Sequence, residues 1–154
     1  MNQAASSKRP VHIRILPSVM TVLAICGGLS SIKFAFDGKP YISLTLIAAA
    51  AILDGLDGRI ARLLDATSRM GAEIDSLADA VNFGVAPAVV LYISMLSDTP
   101  TAWVFSLLYA VCIVLRLARF NTLLDDDSQP AFTKEYFVGV PSPAGALMVL
   151  APLA

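Results

Sequence analysis

Charged residues are scarce in this chain, 15% of 154 residues against 56% hydrophobic ones, so there is too much apolar surface for disorder and too much for an ordinary soluble domain. A basic surplus is missing as well. Eleven Lys and Arg stand against twelve Asp and Glu, a formal net charge of -1, which argues against a nucleic-acid binder. Only two cysteines occur, Cys26 and Cys112, each inside an apolar run. They form neither a disulfide framework nor a metal-ligand spacing, and are expected to be small buried hydrophobes. The single histidine, His12, precedes the first apolar stretch and reads as interfacial. Without a histidine base, Ser76 and Ser142 are unsupported as nucleophiles. Aromatics are few, one Trp, four Tyr and seven Phe, so the mean hydropathy of +0.72 is aliphatic in origin. That suits lipid-facing helices better than a β-sandwich core.

The apolar residues fall into segments of membrane-crossing length, about 20 residues each. Residues 1–14 are polar and basic, with Lys8, Arg9 and Arg14, and are expected to form an amino-terminal segment on the cytoplasmic side. An apolar stretch runs from Ile15 to Phe36. Leu23-Ala24-Ile25-Cys26 has the outline of a lipoprotein cleavage box, but Ile25 is too large before the cut, and the stretch reads as a span. Asp37-Gly38-Lys39-Pro40 makes a turn into a second segment, Tyr41 to about Leu64. Gly71 to Met95 gives a third, Ala102 to about Ala118 a fourth, and Phe137 to Ala154 the start of a fifth. Asn121 to Tyr136 reads as a polar loop in which Asp125, Asp126 and Asp127 are solvated. The expected fold is an all-α polytopic membrane helix bundle occupying residues 1–154, cut short within its fifth helix. With the amino terminus inside, nine of the eleven basic residues lie on the cytoplasmic side, leaving only Lys33 and Lys39 outside.

The acids are not spread evenly. Six of the twelve, Asp54, Asp57, Asp65, Glu73, Asp75 and Asp79, fall within 26 residues, in or beside strongly apolar sequence. Ionisable groups at membrane depth are costly and need partners. Helical spacing puts Asp54, Asp57, Gly58 and Ala61 on one side of the second helix, and Gly71, Asp75 and Asp79 on one side of the third. A short connection predicts antiparallel neighbours whose acidic faces meet. Oxygen donors without sulfur or imidazole favour Mg²⁺ or Mn²⁺ over Zn²⁺, and two such cations would balance four carboxylates. Gly58, Ala61 and Gly71 leave room for a ligand near the backbone, or let the helices pack closely.

Asp54-x2-Asp57-Gly58-x2-Ala61-Arg62-x8-Gly71-x3-Asp75-x3-Asp79 resembles the signature of the CDP-alcohol phosphotransferases, membrane enzymes of phospholipid synthesis. Within that family, Asp75 to Ala88, Arg116-Leu-Ala-Arg119-Phe-Asn121 and Tyr136 to Ala144 are similar to the bacterial phosphatidylserine synthases. Pro17-Ser18 departs from the commoner Pro-Asn, and the family's usual six helices exceed the four and a part found here.

The resemblance implies transfer of a phosphatidyl group from CDP-diacylglycerol to L-serine, with release of CMP, at a site facing the cytoplasm of a bacterial inner membrane. By motif position Asp54, Asp57, Asp75 and Asp79 would hold two divalent cations, Mg²⁺ or Mn²⁺. Asp79 would also be the catalytic base, and Gly58, Ala61, Arg62 and Gly71 would surround the CDP-diacylglycerol headgroup. Arg116 and Arg119 are candidates for the acceptor's carboxylate or a phosphate, with snorkelling as the competing role, and Asn82 is a candidate for its ammonium. A homodimer is implied, in contact with membrane lipid and not with nucleic acid. The alternatives are the same chemistry with glycerol 3-phosphate or inositol phosphate as acceptor, and a divalent-cation transporter, which would place its ligands around the midplane.

Overall fold

The computed structural model describes residues 11–63, 69–99, 101–125 and 141–153, and among them every regular element is helical. Four stretches are long and apolar enough to cross a membrane: Val19–Phe36, Pro40–Ile60, Met70–Leu96 and Ala102–Thr122. A shorter apolar helix, Ser142–Leu153, follows. The amino-terminal segment before Val11 and most of the Asn121–Tyr136 loop, including Asp126 and Asp127, lie outside the described residues.

Helix α1 (Val11–Phe36) ends because Gly38, at φ 70°, can take the left-handed conformation that closes a helix. The Lys39 amide bonds the Phe34 carbonyl at 2.9 Å and the Gly38 amide bonds that of Ala35 at 3.0 Å, satisfying two carbonyls of the last turn. Pro40 then opens α2 (Pro40–Leu63), where its missing N–H costs nothing. Small residues let α1 and α2 pack closely: a Cβ added at Gly27 would lie 3.7 Å from both Ala50 Cβ and the Leu46 carbonyl. Ser43 Oγ donates to the Ser31 carbonyl at 2.6 Å across the same interface.

The third span is one continuous run of four pieces. These are α3 (Arg69–Asp79), a π-helical turn (Ala80–Val85), α4 (Ala86–Leu91) and a second π-helical turn (Tyr92–Leu96). Pro87 explains part of this pattern. A residue there would normally donate to the carbonyl of Phe83, which proline cannot do. The Tyr109 hydroxyl, on α5 (Ala102–Asp125), donates to that carbonyl instead at 2.8 Å. In a membrane, neighbouring helices re-satisfy backbone groups in this way. At the end of the bundle opposite the carboxylates, Ala35, Ile47, Val90 and Leu150 form a buried apolar cluster; Leu150 closes α6 (Ser142–Leu150), which a 3-10 turn follows.

Three expectations change. The fourth segment does not stop near Ala118: α5 continues to Asp125, so the first five residues of the expected loop are helical. Cys26 and Cys112 are exposed rather than buried. Hydrocarbon is as apolar as a protein core, so a membrane helix has no need to hide a cysteine. Finally, the third span meets α2 through its first π-helical turn and α4, while its acidic part, α3, packs chiefly on α1.

Candidate metal centre and active site

The gap between α2 and α3 is bridged by carboxylates. Asp54 and Asp57 project from α2, Asp75 and Asp79 from α3. One oxygen each from Asp54, Asp57 and Asp75 lies within 4.8 Å of the other two. Asp79 stands outside that trio but in hydrogen-bonding contact with Asp54. All four acids of the motif therefore converge. At this spacing each pair of ionised carboxylates repels by about 3 kcal/mol at an effective dielectric constant near 20, so the arrangement needs a compensating cation or shared protons.

The donor set fits a hard cation. It consists of oxygen alone, and two of its atoms, Asp57 Oδ1 and Asp79 Oδ1, are buried without a hydrogen-bond partner among the described residues. Buried carboxylate oxygens left in this state are expensive unless something occupies them. The cluster can hold a metal ion.

Around it, Gly58 faces open space: a Cβ there would meet nothing within 4 Å. Among the described residues there is thus room at Gly58 beside the carboxylates. Gly71 is half-buried near the start of α3. Ala61 and Arg62 belong to α2, with side chains outside the described ones. On α5, Arg116 is half-buried and its Nη1 lies 3.5 Å from Ser142 Oγ of α6, whereas Arg119, one turn on, is exposed. Asn82 sits one turn beyond Asp79, fully buried, with neither end of its amide partnered among the described residues. It presses against Gly28 of α1, where any added Cβ would collide with its Oδ1.

Two contacts were not anticipated from sequence. Thr21 of α1 donates to Asp57 Oδ2 at 2.9 Å, both residues being buried. Asn121 Nδ2, on the part of α5 expected to be loop, donates to Ser76 Oγ at 2.5 Å and so ties α5 to the helix carrying Asp75 and Asp79. The first had a readable signal. Thr21, Ala24, Gly28, Ser31 and Ala35 repeat at alternating spacings of three and four, a small-residue stripe that α1 turns inward.

The family model for CDP-alcohol phosphatidyltransferases matches residues 14–154, which takes in this whole site. The chain belongs to that family. Among curated CDP-alcohol phosphatidyltransferase relatives, a CDP-diacylglycerol–serine O-phosphatidyltransferase of Mycobacterium leprae is 67% identical over 154 residues, all of this chain and 51% of the relative. Proteins of the same name from Helicobacter pylori and Saccharomyces cerevisiae are 39% and 40% identical, over 88% and 79% of this chain and 56% and 46% of their own lengths. The chain spans about half the length of the curated relatives it matches. Family membership and four apolar helices of crossing length make it an integral membrane protein.

Proposed function

We propose that this chain is part of a CDP-diacylglycerol–serine O-phosphatidyltransferase, which transfers the phosphatidyl group to L-serine and releases CMP. The observation that carries the reading is the convergence of Asp54, Asp57, Asp75 and Asp79 from two membrane helices into one oxygen-only cluster with two unpartnered oxygens. The curated relatives' shared name supports serine as the acceptor.

Asp54, Asp57 and Asp75, with Asp79 beside them, would hold two divalent cations, Mg²⁺ or Mn²⁺. Bound there, such ions supply charge neutralisation for a pyrophosphate and its leaving phosphate. The chain's own residues do the rest. Asp79 Oδ1, which no donor among the described residues engages, receives the proton of the serine hydroxyl. The serine oxygen forms a bond to the phosphorus that carries diacylglycerol, and the bond from that phosphorus to the bridging oxygen breaks, its electron pair leaving with CMP. The open space at Gly58 admits the nucleotide against the backbone of α2, with Ala61, Arg62 and Gly71 around it. Arg116 and Arg119 offer guanidinium groups to the serine carboxylate. Asn82, buried against Gly28, would reach the ammonium only if that contact opened. With the amino terminus taken as cytoplasmic, nine of eleven basic residues fall on that side, which supports a site facing the cytoplasm of a bacterial inner membrane, and the family resemblance favours a homodimer.

Membranes carrying the full-length protein, supplied with CDP-diacylglycerol, should release CMP with L-serine and not with glycerol 3-phosphate or an inositol phosphate. Asp79→Asn should lower turnover by about 100-fold or more while keeping CDP-diacylglycerol binding, since the amide retains the shape but cannot take the proton. Near-normal turnover in Asp79→Asn would remove the base from this scheme. CMP release with another acceptor alone would move the substrate while leaving the chemistry.

A further inference from the structure

The carboxylate motif is confined to α2 and α3, yet the most buried of its members is held from a third helix. Asp57 is 2% exposed and Thr21, on α1, 5% exposed; 36 residues apart in sequence, they are joined by the 2.9 Å bond from Thr21 Oγ1 to Asp57 Oδ2. Asp57 also receives a backbone hydrogen bond from Gly58. Oδ1 is left buried without a partner among the described residues, in the residue that contributes one of the three clustered ligand oxygens.

We propose that Thr21 is a positioning residue of the metal centre, fixing the carboxylate of Asp57 through Oδ2 so that Oδ1 is held available to a cation. This rests on the metal-dependent reading above. The physical case has three parts. An aspartate's last torsion is broad, so an unrestrained Asp57 would have to be ordered by the cation itself, at a cost in affinity. Threonine is stiff at its first torsion, so a bond from its hydroxyl transmits the rigidity of α1 to the ligand. A hydroxyl is also neutral, so it orients the carboxylate without offsetting the negative charge that attracts the ion, as a lysine or arginine in its place would do. Helix α1 is the appropriate anchor because it packs against both α2 and α3.

The test is Mn²⁺ binding to the full-length protein in lipid nanodiscs, without substrate, read as loss of the free-ion paramagnetic resonance signal. Thr21→Val, which keeps shape and loses the donor, should bind Mn²⁺ about 10–100-fold more weakly, the usual consequence of removing a group that orients a metal ligand. Thr21→Ser should bind close to the unmodified protein. Ser43→Ala, which deletes a different buried hydroxyl contact between α1 and α2, should leave affinity unchanged. If Thr21→Val does not fold, Thr21→Ala gives the same comparison. Unaltered affinity in a folded donor-less variant overturns the proposal and leaves the metal-dependent reading intact. Equal weakening in Thr21→Ser, or in Ser43→Ala, also overturns it, because the cause is then packing rather than the hydroxyl. No Mn²⁺ binding by the unmodified protein would defeat both readings.

Discussion

Arg116 and Arg119 sit one turn apart on α5, but their surroundings divide them. Arg116 is half-buried and its Nη1 lies 3.5 Å from Ser142 Oγ on α6, while Arg119 is exposed. A planar guanidinium held by a neighbour gives up less freedom on meeting a carboxylate than one swinging free. Arg116→Lys is therefore expected to raise the apparent KM for serine by about tenfold, roughly 1.4 kcal/mol, with a much smaller change for CDP-diacylglycerol. Arg119→Lys should do less. Steady-state kinetics with each substrate varied in turn checks this, and equal shifts for both substrates would return Arg116 to the role of a snorkelling anchor. Such residue-level detail was only partly readable. The four carboxylates announced themselves because acids in apolar sequence are costly and their spacing was helical. For Thr21 only the inward face was readable, from the small-residue stripe of α1; which group its hydroxyl would meet, 36 residues away, was not.

Apart from the end of the fourth, the segments themselves were legible to within about a turn, since bilayer thickness dictates their length. What periodicity could not supply was the irregularity inside the third span. The π-helical turn Ala80–Val85 changes the register between Asp79 and everything beyond it, and no hydropathy pattern records such a shift. Nor was it read from sequence that Asn121 to Asp125 continue α5: Asn121, Thr122 and Asp125 are loop-like, yet Leu123 and Leu124 lie between them and the stretch is helical alongside the Asn121 to Ser76 contact. Tyr109 offers a measurable handle on the third span. Its hydroxyl bonds the Phe83 carbonyl, four residues before Pro87 and within one turn of Asn82 and Asp79. Tyr109→Phe keeps the ring and deletes that bond, and should destabilise the folded protein by about 0.6 kcal/mol, the average for such contacts between membrane helices, and by no more than about 1.7. Urea or detergent-based unfolding reports it. An unchanged midpoint would mean that the carbonyl finds another donor without loss.

Across the whole molecule, the apolar surface that would be a liability in water is the surface required in lipid. Trp103, Val104, Phe105, Leu108, Val111 and Leu115 of α5 are all exposed, as are Val22, Leu23 and Leu29 of α1. Hydrophobic burial therefore cannot be the main force holding the helices together, and close packing of small residues with a few buried polar contacts must take its place. Against that background the acid cluster is a standing cost. Three carboxylate oxygens lie within 4.8 Å of one another and a fourth acid contacts Asp54, so the cation-free bundle carries a repulsion that any bound divalent ion relieves. Stability should therefore follow cation concentration: at about 100 times its Kd, a single bound ion adds about 2.7 kcal/mol. Asp75→Asn separates this from a general salt effect. By removing one charge from the trio it should leave the chelated protein at least as stable as the unmodified one, while most of the gain from added Mg²⁺ or Mn²⁺ disappears. Thermal unfolding of both proteins in chelator and in excess cation makes the comparison. A variant less stable in chelator but equally stabilised by cation would show that Asp75 serves helix packing rather than the ion, and would shift the metal centre toward Asp54, Asp57 and Asp79.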